Sequence, residues 1–135
     1  MARYDPSAFY GFLFHDAVRL PELFSAFNLI AWSFSMAWNP DLFLRDTYSS
    51  FSLFSPKFWS VLFGLVGVVQ FVALFMRPTR RRVFRSAAMV LAAGCWSLVA
   101  YSFFAAGVGT TANANYALLM IVCFVSGAYL AWKET

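Results

Sequence analysis

The feature that most constrains this chain is a group of five arginines, here called the arginine cluster, between two long uncharged stretches. Residues 58–76 carry no charged side chain before it, and residues 86–132 carry none after it. Uncharged apolar runs of about 18 or more residues are typical of transmembrane helices, and Lys and Arg accumulate in cytoplasmic loops. The pattern predicts two membrane spans joined by a tight cytoplasmic loop. The cluster consists of Arg77, Arg80, Arg81, Arg82 and Arg85.

The composition agrees with a membrane environment. Hydrophobic residues make up 61% of the 135 residues and charged residues only 12%, whereas soluble domains have roughly 25% charged residues. The formal net charge of +4 is local, because the arginine cluster alone carries five positive charges. Such a cluster beside a membrane helix suits anionic headgroups. We expect one membrane domain over residues 1–135, with membrane lipids as partners and no nucleic acid.

Two further apolar stretches complete an all-α integral membrane protein with four transmembrane helices. Asn39-Pro40 ends the first span, Ser55-Pro56 starts the second, and a polar turn at 107–115 separates the last two. Four spans put both termini on the side of the arginine cluster. That side then holds eight of the ten Lys and Arg residues, which predicts a multi-pass membrane protein with cytoplasmic termini. The spans cover about 21–38, 57–77, 84–107 and 114–132.

Two segments outside the spans are predicted to rest at the membrane surface. Residues 6–20 form an amphipathic helix with a narrow polar stripe and a broad apolar face, which suits an interfacial helix. Packing of this helix against the bundle is an equal alternative. Residues 39–56 mix aromatic side chains with serines and charges, which is typical of a loop at headgroup level.

Small residues recur along one face of the second and third spans. They let helix backbones approach closely in lipid, so they predict packing within the four-helix unit or, as the alternative, self-association. Gln70 is the only amide deep inside a span, and we expect it to face another helix. The residues are Ser60, Gly64, Gly67, Gln70, Ser86, Ala93 and Ser97.

The first span carries a weakly polar stripe of Ser25, Asn28 and Ser35, with Asn39 continuing its spacing. The stripe favours hydrogen bonding to neighbouring helices. The alternative is a helix face that lines water in an oligomer.

Chemical groups of the kinds that enzymes use are scarce. His15 is the only histidine and has no neighbouring Cys, His or carboxylate set for a metal or haem. The nearest carboxylate to a span interior is Glu22, at the mouth of the first span, whereas proton-coupled transporters need an ionisable group within the membrane. We predict no catalytic, cofactor-binding or metal site.

Residues 55–133 resemble small four-helix membrane proteins encoded by tailed bacteriophages, some of which are labelled holin-like. The shared features are Ser55-Pro56-x-x-Trp59, Gly67-x-x-Gln70, the arginine cluster, Trp96, Thr110-Thr111-Ala112, Tyr116 and a terminal Tyr-Leu-Ala-Trp-Lys. The resemblance implies a protein of the bacterial inner (cytoplasmic) membrane that self-associates and permeabilises that membrane. The alternative hypothesis is an accessory or scaffold subunit of a larger membrane complex, which binds lipid, pigment or partner helices through its phenylalanine-rich surfaces.

Overall fold

A computed structural model describes residue 11 and residues 16–76, 78–107 and 109–132, without the side chains of 78–80. Helices dominate these ranges, and no strand occurs in them. Most of the predicted helix over 6–20, together with His15 and Arg77, lies outside the described residues. Within residues 16–132, the described α-helices are α1 (Arg19–Trp38), α2 (Pro56–Ala73), α3 (Pro78–Ala105) and α4 (Thr111–Trp132), and two 3₁₀ helices (Pro40–Leu44 and Asp46–Phe51) connect α1 to α2.

Proline and polar side chains define the helix boundaries near the connection. Asn39 follows the last turn of α1, and its side-chain Nδ2 donates to the carbonyl oxygen of Ser35 at 3.1 Å. Ser55 caps α2 by accepting the Phe58 N–H at 3.2 Å, and Pro56 occupies the first turn. Both features agree with capping preferences that are visible in the sequence. α2 ends at Ala73, four residues before the predicted bound of 77.

The prediction of a loop at the arginine cluster is wrong. Residues 78–85 form the first two turns of α3, which has 28 residues and is about 42 Å long at 1.5 Å per residue. Proline is favoured at the first helical position because its missing N–H is not needed there, and arginine is a good helix former. A helix of this length exceeds the roughly 30 Å hydrocarbon core, so its basic turns can extend beyond the lipid.

The helices pack as two antiparallel hairpins, the first formed by α1 and α2 and the second by α3 and α4. In the first, a Cβ added at Gly67 would lie 3.0 Å from the Ala26 carbonyl oxygen. In the second, a Cβ at Gly127 would lie 3.3 Å from the Ser86 carbonyl oxygen. Glycine therefore sets the close backbone approach within each hairpin. The two hairpins meet through buried side chains of α3, among them Met89 and Trp96.

Among the described residues, three helical segments are long and apolar enough to cross a membrane. α1 has 20 residues but is not among them, and Glu22, Asn28 and its serines lower its hydropathy. The prediction of a membrane protein is therefore supported by three segments, which are Pro56–Ala73, Arg81–Ala105 and Thr111–Trp132.

The connecting segment over 39–56 packs its aromatic rings against the bundle. Phe51 is buried, and its carbonyl oxygen accepts the Trp59 Nε1–H at 2.8 Å. Tyr48 contacts Trp32 of α1 and Phe103 of α3 edge-on. Leu44 and Leu53 stay exposed. These aromatic side chains close the end of the bundle opposite the arginine cluster.

Candidate functional site

Arg85 of the arginine cluster was expected in water, but the structure buries its side chain. Its side chain turns inward from α3 and is only 3% exposed. Its Nε and Nη2 donate to the two carboxylate oxygens of Glu22, at 2.9 Å and 2.6 Å. Its Nη1 donates to Asp16 Oδ2 at 2.8 Å. A guanidinium that donates from all three nitrogens has the two-pronged geometry of strong charge-assisted hydrogen bonds.

The start of α1 supplies both carboxylates. Glu22 lies in the first turn, is 1% exposed, and benefits from the positive end of the helix dipole. Asp16 precedes the helix and accepts the Val18 N–H through Oδ1 at 3.2 Å. Partial burial raises the pKa of the Asp16 carboxyl, but the hydrogen bonds from Arg85 and Val18 outweigh it, so the pKa lies below its ordinary value. Asp16 therefore stays ionised at neutral pH.

This charge cluster (Asp16, Glu22 and Arg85) ties the second hairpin to the first. Arg85 belongs to α3, whereas both carboxylates belong to the segment that opens α1. Buried ions are stable only when they are paired and their hydrogen-bonding groups are satisfied, which is the case for Arg85. The arrangement acts as an ionic link between hairpins.

The other members of the arginine cluster have different surroundings. Arg82 is exposed. Arg81 lies one turn before Arg85, and its Nε and Nη2 atoms are buried with no hydrogen-bond partner in the described part of the chain. Arg81 and Arg85 both repel the Arg19 guanidinium electrostatically, so the three side chains are close. Arg77 lies outside the described residues, and the side chain of Arg80 is not described.

The small residues of α2 and α3 lie against other helices of the same chain. Ser60 Oγ donates to the Ser33 carbonyl oxygen at 2.8 Å, and a Cβ at Gly64 would collide with Ser33 Oγ at 2.6 Å. Ser86 Oγ donates to the Gly127 carbonyl oxygen at 2.8 Å. Ala93 is buried, and Ser97 bonds within α3 to the Ala93 carbonyl. Contacts between helices of the bundle account for Ser60, Gly64 and Ser86, whereas the Ser97 hydroxyl bonds within α3.

Gln70 faces α3, as expected for an amide inside a span. Its Nε2 donates to Met89 Sδ at 2.8 Å, and the residue is 1% exposed. Its Oε1 is buried and has no partner among the described residues. The amide therefore makes a contact between the two hairpins.

The predicted polar stripe of α1 divides among three environments. Ser25 is buried, and its Oγ accepts from Trp96 Nε1 at 2.9 Å and from Cys123 Sγ at 3.3 Å. Asn28 donates to the Phe24 carbonyl oxygen of its own helix. Ser35 is exposed. Ser25 thus joins α1 to both helices of the second hairpin, whereas Asn28 and Ser35 do not.

A groove of about 970 Å³ separates α1 from α4. It opens to the side of the bundle, where Phe24, Phe27 and Leu118 are exposed. Its wall is mostly apolar, with Asn28, Thr111 and Asn115 as polar members. The volume is at the upper end of the roughly 300–1,000 Å³ range of small-molecule sites. The remaining lining residues are Leu20, Pro21, Leu23, Ala112, Tyr116, Leu119 and Val122.

Sequence reasoning missed the charge cluster although a signal was present. On a helix that begins at Pro78, Arg85 falls on the same face as Met89, Ala92 and Trp96, at helical spacing. All three are buried. If the arginine cluster is assigned to a helix rather than to a loop, this spacing predicts that Arg85 faces the interior. Glu22 at the mouth of the first span was then the partner to expect.

Comparisons with known proteins do not add a relative. No family model, no curated protein and no solved structure matches the chain. Among residues 16–76, 78–107 and 109–132, no group of three or more His, Cys, Asp or Glu side chains has the arrangement of a metal site. The two thiols in these ranges, Cys95 and Cys123, are buried and free.

Proposed function

We propose that this chain is a four-span, non-catalytic subunit of the bacterial inner membrane that binds other membrane helices through its outer face. One observation carries the proposal. The three helices that can span a membrane turn bulky apolar side chains outward, whereas Ser60, Gln70 and Arg85 are buried. Such a distribution suits lipid as the surrounding solvent.

The packing of α1 supports a fourth span. α1 contacts α2 over about two turns of its middle part, from Ala26 at Gly67 to Ser33 at Ser60. A helix that lies along a membrane-spanning neighbour shares its depth. The 20 residues of α1 reach about 30 Å at 1.5 Å per residue, which is enough to cross the hydrocarbon core.

The distribution of positive charge supports cytoplasmic termini. Four spans put eight Lys and Arg residues on one side and only Arg45 and Lys57 on the other, and such an excess marks the cytoplasmic face. In intact cells, a membrane-impermeant maleimide should label Leu53→Cys but not Arg82→Cys. The reverse pattern would overturn the orientation.

α4 is the best candidate for the partner-binding helix. In the most apolar 18-residue stretch of α4, only 22% of the residues are buried within the chain, whereas 50% are buried in the corresponding stretch of α3. Its exposed face carries Ile121, Phe124 and Val125, and large exposed apolar patches mark interaction surfaces. The small residues that favour close helix approach are already used inside the bundle, at Gly64, Gly67 and Gly127. This favours docking on a larger partner.

The decisive experiment is affinity purification in mild detergent. We expect a membrane partner to co-purify with the wild type and to be lost from the α4 variant Ile121→Ala/Phe124→Ala/Val125→Ala. The matched control is Val61→Ala/Leu65→Ala/Val68→Ala, which trims exposed side chains of α2 and should retain the partner. Recovery of this chain alone in every sample would contradict an accessory role.

Holin-like self-association is the second candidate, and the broad exposed face of α4 also fits a second copy of the chain. Induced expression with a membrane-impermeant dye separates the two. Dye entry that disappears in the α4 variant would favour a holin-like role. A dye-tight membrane with the protein fully inserted would exclude it.

A further inference from the structure

Arg81 carries buried hydrogen-bond donors that nothing in the described chain satisfies. Its Nε and Nη2 atoms are both buried, and neither has a partner among the described residues. Burying a charged donor without an acceptor is costly. The natural complement is an anion with two adjacent oxygens, because the guanidinium presents parallel N–H groups that match carboxylate and phosphate.

The surrounding charges favour an anion at this position. Arg81 and Arg85 both lie close enough to Arg19 to repel it electrostatically. The two carboxylates nearby, Asp16 and Glu22, both bind Arg85. Both carboxylates are thus bonded to Arg85, whereas Nε and Nη2 of Arg81 have no acceptor among the described residues.

At one end, the groove between α1 and α4 reaches the first turn of α1. Leu20 and Pro21 line it, and they follow Arg19 directly in α1. From there the wall continues along α1 through Phe24 and Phe27 and along α4 through Leu119 and Val122. A ligand that reaches both features needs a negative head at the membrane surface and a long apolar chain within the membrane.

We propose that Arg81 and the α1–α4 groove form a binding site for one anionic phospholipid. Phosphate oxygens accept hydrogen bonds from Nε and Nη2 of Arg81, and an acyl chain lies in the groove. Basic pockets between membrane helices on the cytoplasmic side are known to bind anionic headgroups. A partner helix would fill the groove but would not by itself supply the phosphate. The site rests on the proposed membrane insertion and orientation, and it does not depend on α4 binding a protein partner.

Retention of lipid by the purified full-length protein tests the proposal. The protein is reconstituted in vesicles of four parts phosphatidylcholine to one part phosphatidylglycerol, solubilised in mild detergent at about 1 M salt and repurified. At that ionic strength the Debye length is about 3 Å, so attraction to exposed charges is screened. We expect wild type to retain one phosphatidylglycerol per chain, and Arg81→Gln to retain about tenfold less, as the loss of hydrogen bonds to a charged group implies.

Two matched controls separate the site from general effects. Arg82→Gln removes the same charge from an exposed neighbour and should retain the lipid. Val122→Trp fills the groove and should lose the lipid, whereas Val125→Trp adds the same bulk to an exposed position outside the groove and should keep it. Glycerol phosphate and inorganic phosphate, which lack an acyl chain, should not displace the bound lipid.

Each other outcome overturns part of the proposal. If Arg81→Gln retains as much lipid as wild type, the phosphate contact is excluded. If Arg82→Gln loses as much lipid as Arg81→Gln, the retention reflects general charge attraction rather than a site at Arg81. Unchanged retention in Val122→Trp, or displacement by glycerol phosphate, would exclude the groove as the acyl-chain site. A chain that alkaline washing removes from the vesicles would instead contradict the proposed membrane function, and this is measured before any lipid is counted.

Discussion

The two ends of the bundle join the same two hairpins by different physical means. At the arginine end, one guanidinium links Arg85 of α3 to Glu22 and Asp16. At the opposite end, Trp32, Tyr48 and Phe51 contact rings of α2, α3 and α4, with centroid separations of 5.5–6.4 Å. The ionic end relies on a few directional bonds between buried groups. The aromatic end spreads its stabilisation over many ring pairs, and each pair contributes about 0.5–1.5 kcal/mol beyond its area burial.

This difference predicts how substitutions at each end lower the stability of the protein. Removing one partner of a buried ion pair leaves an uncompensated charge, so the ionic end should be intolerant of one-sided substitution and tolerant of a matched replacement. The aromatic end should respond to lost volume instead, and its response should not depend on charge.

Glu22→Ala should have the largest effect. It removes both acceptors of the 2.6 Å and 2.9 Å bonds from Arg85, and breaking a buried pair in this way costs about 3–5 kcal/mol. The free energy of unfolding, measured by titrating the micellar protein with a denaturing detergent, should fall by that amount. The double variant Glu22→Leu/Arg85→Met removes both charges and should recover most of the loss. A double variant as unstable as Glu22→Ala would show that the charges themselves are not the cause.

Phe51→Ala should cost about 3 kcal/mol, the lower part of the range for Phe to Ala in a core. Phe51 is 1% exposed and packs edge-on against Trp59 at 5.0 Å. Leu53→Ala, two residues away and 83% exposed, is the control and should change the free energy of unfolding little. The loss at Phe51 should be the same at low and high salt. A strong salt dependence would contradict the contrast between the two ends.

Gly67→Ala tests the packing between the ends and should cost about 1–3 kcal/mol through overpacking. The new Cβ would lie 2.9 Å from Ile30 Cγ1 and 3.0 Å from the Ala26 carbonyl oxygen, and the backbone cannot easily yield. Gly94→Ala is the matched control in α3, where a Cβ meets nothing within 4 Å. There the change should stabilise the helix by roughly 0.5–1 kcal/mol. Thermal unfolding of both variants measures the difference, and similar behaviour would contradict the close approach of α1 and α2.

The helix boundaries at the aromatic end were easier to predict from sequence than the ionic link. Asn39-Pro40 and Ser55-Pro56 fix where α1 stops and α2 starts through local geometry, so the chain order alone reveals them. Helical periodicity likewise indicated that Ser60, Gly64 and Gly67 share a face. These inferences need only neighbours within a few residues.

The ionic link needed information that no local window contains. Arg85 and Glu22 are 63 residues apart, and charge density at the arginine cluster favoured a loop because arginines are avoided in lipid. An arginine that avoids lipid can also be buried inside the protein. For Arg85 this location becomes apparent only when α1 and α3 are packed together. The groove is harder still to predict from sequence, because it is the space that remains between α1 and α4 after the helices have packed.

The smallest expected effect concerns Asp16 and acid. Its pKa lies below the ordinary value of 3.8 in the folded state, so its contribution to stability is present above about pH 4 and is lost as the pH falls through the folded pKa. Asp16 is 25% exposed, and partly exposed ion pairs contribute about 0–1 kcal/mol. Asp16→Asn should therefore lower the free energy of unfolding slightly at pH 7 and reduce its acid dependence below pH 4. If wild type and Asp16→Asn lose stability in parallel from pH 5 to pH 2, the carboxylate contributes nothing to the link, and Glu22 alone holds Arg85.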